Sequence, residues 1–215
     1  MCRTLGRKRH QRRHIYLRIG LITFLMGRSM NAMSSTLAVF VFKSPLKFSR
    51  SKYALLSGVT KAVELVGTLT GSWIMKREWH WPDTSLIIIS YGCLAFRTLL
   101  VAISTHQWTI WVSAGTSVFT LLFIPANQAF LVDQVTPAEK PYVLACFGII
   151  TSSCDLVSSL FYDLIYRATE SWFAGFTFAV AATVDAIAML IVVWVHYDSR
   201  RQQCNTTHLD VAHHQ

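Results

Sequence analysis

The stretch WFAGFTFAVAATVDAIAMLIVVWVH, residues 172–196, decides the class of this protein. A helix needs roughly 20 mostly apolar residues to cross a bilayer core. This run exceeds that length, and Asp185 is its only Asp, Glu, Lys or Arg. Five further stretches of spanning length precede it, at about 15–42, 53–75, 84–104, 107–130 and 142–166. Turn and charge signals separate them: Lys43-Ser-Pro45, Lys76 through Pro82, Thr105-His106, Thr136 through Pro141, and Arg167 through Ser171. The expectation is an all-α membrane protein with six transmembrane helices.

Composition agrees. Of 215 residues, 53% are apolar and 14% charged, which excludes a disordered or collagenous chain. The formal charge of +9 could suggest nucleic acid, but at a mean hydropathy of +0.39 the basic residues sit in short patches between long apolar runs. The charge therefore reports topology. Residues 1–14 hold Arg3, Arg7, Lys8, Arg9, Arg12 and Arg13 ahead of a full-length span, which reads as a basic cytoplasmic segment rather than a signal peptide. Residues 197–215 form a polar tail with Arg200 and Arg201, and an even number of spans returns both termini to one side. Adding Lys76, Arg77 and Lys140 brings the inner side to eleven basic residues, against five outside: Lys43, Lys47, Arg50, Lys52 and Arg167. Positive charge favours the cytoplasmic face, so both termini are expected there. Trp79, Trp81, Trp108, Trp111 and Trp172 fall near span ends, as interfacial anchors do.

Catalytic, metal and cofactor signals are missing from the sequence. Cys2, Cys93, Cys146, Cys154 and Cys204 form no CxxC pair, and there is no P-loop, HExxH or GxSxG. The Asn205-Thr-Thr207 sequon would be used only if the tail faced the lumen.

Six ionisable residues lie near span midpoints: Arg28, Lys61, Glu64, Arg97, Asp155 and Asp185. A charge facing lipid costs about 2.5–3.5 kcal/mol even on the lenient insertion scale, so such side chains turn toward protein or water. Lys61 and Glu64 are three apart on one helical face and can neutralise each other or serve transport. Arg28 with Asn31, Ser34 and Ser35, and Asp155 with Ser152, Ser158 and Ser159, form polar stripes suited to an aqueous path or to interhelical hydrogen bonds. Arg97 and Asp185 have apolar neighbours, and each is expected to find an opposite charge on an adjacent helix. Pro125 breaks the fourth span beside Asn127 and Gln128, a pattern tolerated where backbone borders protein or water. Gly67 and Gly71 spell GxxxG and permit close helix approach.

Taken in order, Ser44-Pro-Leu-Lys-Phe48, Ile124-Pro125, Leu131-Val-Asp-Gln-Val-Thr-Pro-Ala-Glu139 and Tyr166-Arg-Ala-Thr169 resemble the C-terminal half of the proton-coupled folate transporter and thymic stromal cotransporter family, within the major facilitator superfamily. The resemblance implies half of a secondary active transporter whose cavity lies near the bilayer midplane. It implies proton-coupled symport of a small organic anion, folate-like or another heterocyclic solute. In that reading Arg28 and Lys61 supply positive potential, Asn31, Asn127 and Gln128 hydrogen-bond the substrate, and Glu64 and Asp155 carry protons. The partners implied are the lipid bilayer and either a missing N-terminal half or a second copy, with no nucleic acid, and the membrane is plasma or endolysosomal. Two departures bear on the substrate: Gln128 and the neighbourhood of Met30-Asn31 stand where the folate-carrying branch has an arginine and a histidine. The reading from another class is a truncated, non-transporting membrane protein or a regulatory partner of a full-length transporter.

Overall fold

The computed structural model describes residues 13–31, 33–43, 46–78 and 81–213, without the side chains of residues 13, 14, 30, 31, 34, 35, 76, 78, 200 and 202–213. Most of the basic head, with Ser44, Pro45 and Trp79, lies outside the described residues. The described residues form helices and no strand. In chain order these are α1 (Arg13–Asn31), α2 (Ser34–Phe42), α3 (Arg50–Trp73), α4 (Asp83–Ala102), α5 (Gln107–Gly115), α6 (Phe123–Asp133), α7 (Lys140–Thr169) and α8 (Phe176–His213). A π turn, Ile74–Glu78, extends α3, and a 3₁₀ stretch, Thr116–Leu122, joins α5 to α6.

Local chemistry accounts for the boundaries. The Ser49 hydroxyl caps α3 by accepting the Lys52 N–H at 3.3 Å. Thr136 and Glu139 form a capping box: the Thr136 N–H and hydroxyl both donate to the Glu139 carboxylate, at 3.3 and 2.9 Å. Pro141 follows in the first turn of α7, where its missing N–H has no helical partner to lose. Pro125 cannot donate to the Leu121 carbonyl and crowds it, and the chain immediately before α6 tightens into the 3₁₀ stretch. The break expected at Pro125 thus falls on its N-terminal side.

Four segments are long and apolar enough to cross a membrane: Asp83–Ala102, Gln107–Asp133, Pro137–Thr169 and Phe176–Ser199. The first two expected spans fall on α1–α2 and α3, which do not meet that measure. The first is divided into helices of 19 and nine residues, and α1 carries Arg18 and Arg28. Helix α3 carries Lys61, Glu64 and a run of serines and threonines.

The most extensive seam joins α4 to α8, with Tyr91, Ala181 and Ala188 fully buried. Phe24 of α1 fills the centre, its ring 4.2 Å from that of Phe147 and 6.1 Å from that of Phe123, centroid to centroid. Helix α3 lies directly on the 3₁₀ stretch, where a Cβ at Gly67 would overlap the Val118 carbonyl and one at Gly71 would meet the Phe119 ring at 3.1 Å. The GxxxG pattern therefore has its packing reason. Large apolar side chains remain exposed along α3 (Leu55, Leu65, Leu69, Trp73) and α7 (Ile149, Leu156, Val157, Leu164). Apolar faces of this extent mark contact with lipid or another protein.

Candidate functional site

Two charge clusters occupy the helix interfaces. In the first, the Arg28 guanidinium of α1 donates to the Asp155 carboxylate of α7. The Thr36 hydroxyl of α2 donates to Asp163, and the Lys43 ammonium to Glu170. Each pair is separated by 127 residues, which requires the two helical segments to run parallel in constant register. Rungs every seven or eight residues sit about two turns apart and share one face of each helix. The rung at Arg28 is the deepest in sequence from the loop after α2, with side chains 16% and 39% exposed. It is also incompletely satisfied: Arg28 Nε and Asp155 Oδ1 are buried without a hydrogen-bond partner. A guanidinium with a donor to spare beside a carboxylate with a lone pair to spare can receive an anion on one side and a proton on the other.

The second cluster centres on Glu64 of α3, which is wholly buried. Its Oε2 accepts from Lys61 Nζ at 2.8 Å, and its Oε1 accepts from Arg97 Nη1 of α4 at 2.7 Å. The Lys61–Glu64 pair expected from spacing is present, and Arg97 has found its opposite charge there. The three share unequal surroundings: the Lys61 side chain is 65% exposed, that of Arg97 19%. Lys61 and Arg97 line an open cavity of about 110 Å³ between α1–α2, α3, α4 and the start of α8.

The remaining expected site residues are not gathered with these charges. Asn127 is buried, with Nδ2 donating to the Phe123 carbonyl at 2.8 Å and Oδ1 lacking a hydrogen-bond partner. Gln128 is half-buried on the same helix, and the Asn31 side chain lies outside the described residues. Asp185 departs from expectation. It is fully buried in α8, yet neither carboxylate oxygen has a hydrogen-bond partner, and the Arg97 guanidinium of α4 pairs with Glu64 instead.

Arg97 was the member of this cluster hardest to place from sequence. The signal available was a charge tally, three cations against three acids at depth, and a tally does not say which helix faces which.

No protein-family model matches the chain. It is 30% identical over 79 residues to the lysosomal proton-coupled steroid conjugate and bile acid symporter of Gallus gallus, covering 37% of this chain and 17% of that protein. It is 19% identical over 197 residues to solute carrier family 46 member 2 of Mus musculus, covering 91% of this chain and 40% of the relative. Against the Canis lupus familiaris member 2 it is 20% identical over 161 residues, 74% of this chain and 32% of the relative. The chain spans less than half the length of the curated relatives it matches. All are solute carriers, which are membrane transporters and not enzymes.

Proposed function

We propose, from the chain's kinship with solute carrier family 46, that it supplies a six-span half of a proton-coupled symporter for an organic anion. In this reading α1–α2 and α3 are the first two spans, kept less apolar because their inward faces border a cavity, and both termini are cytoplasmic. The exposed apolar faces of α3 and α7 await lipid and a second six-helix half, either an N-terminal half or another copy of the chain. The relative from Gallus gallus is named for steroid conjugates and bile acids, which fit an anion-binding reading better than a folate-specific one.

The Arg28–Asp155 pair carries the proposal. While Asp155 is ionised it holds the guanidinium and no anion can take its place without leaving a carboxylate uncompensated. A proton on Asp155 removes that competition, and Arg28 turns its donors to the substrate. Proton and anion then bind together or not at all, which is the requirement for symport. On release, the deprotonated carboxylate recaptures Arg28 and resets the site.

The test uses a complete transporter in which this chain forms one half. Asp155→Asn should bind a bile acid with equal affinity at acidic and neutral pH, and its uptake should no longer respond to an imposed proton gradient. Arg28→Gln should reach the surface normally but lose at least roughly tenfold in affinity for the anion, as expected for losing a charge-assisted contact. If Asp155→Asn kept the pH dependence of the parent, this coupling scheme would be wrong.

A further inference from the structure

We infer that the cavity beside Lys61 and Arg97 is a second, separate anion site, built for the charged head group of an amphiphile. Neither Arg28 nor Asp155 lines it.

Charge comes first. Lys61 and Arg97 share one carboxylate, Glu64, and each oxygen of that carboxylate is already taken by one of them. The cluster is left with one unit of positive charge, and among the described residues no acidic side chain lines the cavity. Asp185, the other buried acid on the neighbouring helix, makes no ion pair with Arg97. An uncompensated cation at membrane depth is expensive and attracts an anion from whatever phase can reach it. The ammonium and guanidinium carry eight N–H donors between them by chemistry, and two are spent on Glu64.

The wall then narrows the ligand. Ser57 adds a hydroxyl beside Lys61, whereas Thr60 and Thr98 donate to the Leu56 and Leu94 carbonyls of their own helices at 2.8 and 3.0 Å and have no proton to spare. Much of the remaining lining is apolar, including Leu37, Leu94, Val101 and Phe178. A site lined by both cations and hydrocarbon discriminates against small inorganic anions, which gain nothing from the apolar lining, and against neutral apolar molecules, which leave the charge unanswered. The volume, about 110 Å³, is well below the roughly 300–1,000 Å³ of pockets that enclose drug-sized ligands. It admits a sulfate, phosphate or carboxylate head and requires the apolar body to leave through the mouth. The same chemistry suits an anionic lipid of the surrounding leaflet or a free amphiphilic solute, and the experiment separates these sources.

The purified chain in phosphatidylcholine nanodiscs would be titrated with octyl sulfate by calorimetry, and doped with phosphatidylglycerol for native mass spectrometry of retained lipid. Inorganic sulfate and octyl glucoside serve as the charge-only and apolar-only probes. At least one of octyl sulfate and phosphatidylglycerol should bind, inorganic sulfate and octyl glucoside at least roughly tenfold more weakly. Lys61→Gln brings the cluster to neutrality and should lower affinity at least roughly tenfold, while Lys61→Arg should retain it. Ser57→Trp fills the cavity without altering its charge and should abolish binding by itself. Thermal unfolding would check that each variant is folded, which the exposure of Lys61 and Ser57 favours. Retention of phosphatidylglycerol alone identifies a lipid site, and binding of octyl sulfate alone a solute site. Binding unaffected by both Lys61→Gln and Ser57→Trp, or no binding of either anionic amphiphile, overturns the inference. The assay involves neither transport nor a proton gradient, so its failure is distinguishable from failure of the Arg28–Asp155 coupling scheme.

Discussion

Arg28–Asp155 and Arg97–Glu64–Lys61 begin from the same ingredients, an arginine and a carboxylate on different helices, and end in opposite electrostatic states. The first is a one-to-one pair with a half-exposed acid and one unsatisfied atom on each partner. The second places its acid wholly inside the bundle and surrounds it with two cations, one of them largely exposed. Burial explains the difference. A carboxylate taken fully out of water needs strong compensation on both oxygens, whereas one near an aqueous edge can give up its partner and be rescued by a proton or water. The first cluster is therefore suited to opening and closing, and the second to permanence with a residual positive charge.

The contrast can be broken most directly at the arginines. Arg97→Met should lower the stability of the purified chain by about 3–5 kcal/mol, because Glu64 would keep only an exposed partner. Arg28→Met should cost about 1–3 kcal/mol, since Asp155 can hydrate. Equal losses in unfolding titrations in mixed micelles would erase the distinction, and Arg97→Met with Glu64→Leu should recover most of what Arg97→Met loses.

A purely steric change sharpens the same comparison. Gly67 lies one helical turn from Glu64 and sets how closely α3 approaches the 3₁₀ stretch. Gly67→Ala would force α3 and the Val118 carbonyl apart, at about 1–3 kcal/mol. The shift should loosen the Glu64 cluster and leave the α1–α7 rungs in register. Cysteine cross-linking between α1 and α7, unchanged in Gly67→Ala, would establish that the two clusters respond independently.

The smallest effect is expected at the exposed members. Lys61→Met and Lys43→Gln each remove an exposed cation from an ion pair, and each should change stability by no more than about 1 kcal/mol. A loss of several kcal/mol at Lys61 alone would mean that Lys61, and not Arg97, neutralises Glu64.

Where sequence and structure agree, the agreement comes from local periodicity. The Lys61–Glu64 pair follows from a separation of three residues on one helix, and the close contact at Gly67 from the absence of a side chain. The lower apolarity of α1 and α3 comes from Arg18, Arg28, Lys61 and Glu64, of which the last three are also candidate site residues by sequence. It is the reason these two expected spans fall short of the length-and-apolarity measure. Asp185 shows the limit. An opposite charge on a neighbouring helix was a reasonable expectation, but neither Asp185 oxygen has a hydrogen-bond partner, and Arg97 of α4 pairs with Glu64.

What the amino-acid sequence determined by itself is a helical, membrane-suited chain, with its turns, its caps and the set of charges held at depth. Helical geometry makes these local: residues three or four apart share a face whatever surrounds them. Tertiary structure alone decided the pairings of Arg28 with Asp155 and of Arg97 with Glu64, and left Asp185 without a partner. Those outcomes depend on how far each helix is rotated and shifted against its neighbours. Contacts such as Gly67 on the Val118 carbonyl and Phe24 between Phe123 and Phe147 set those rotations and shifts, joining residues far apart in the chain.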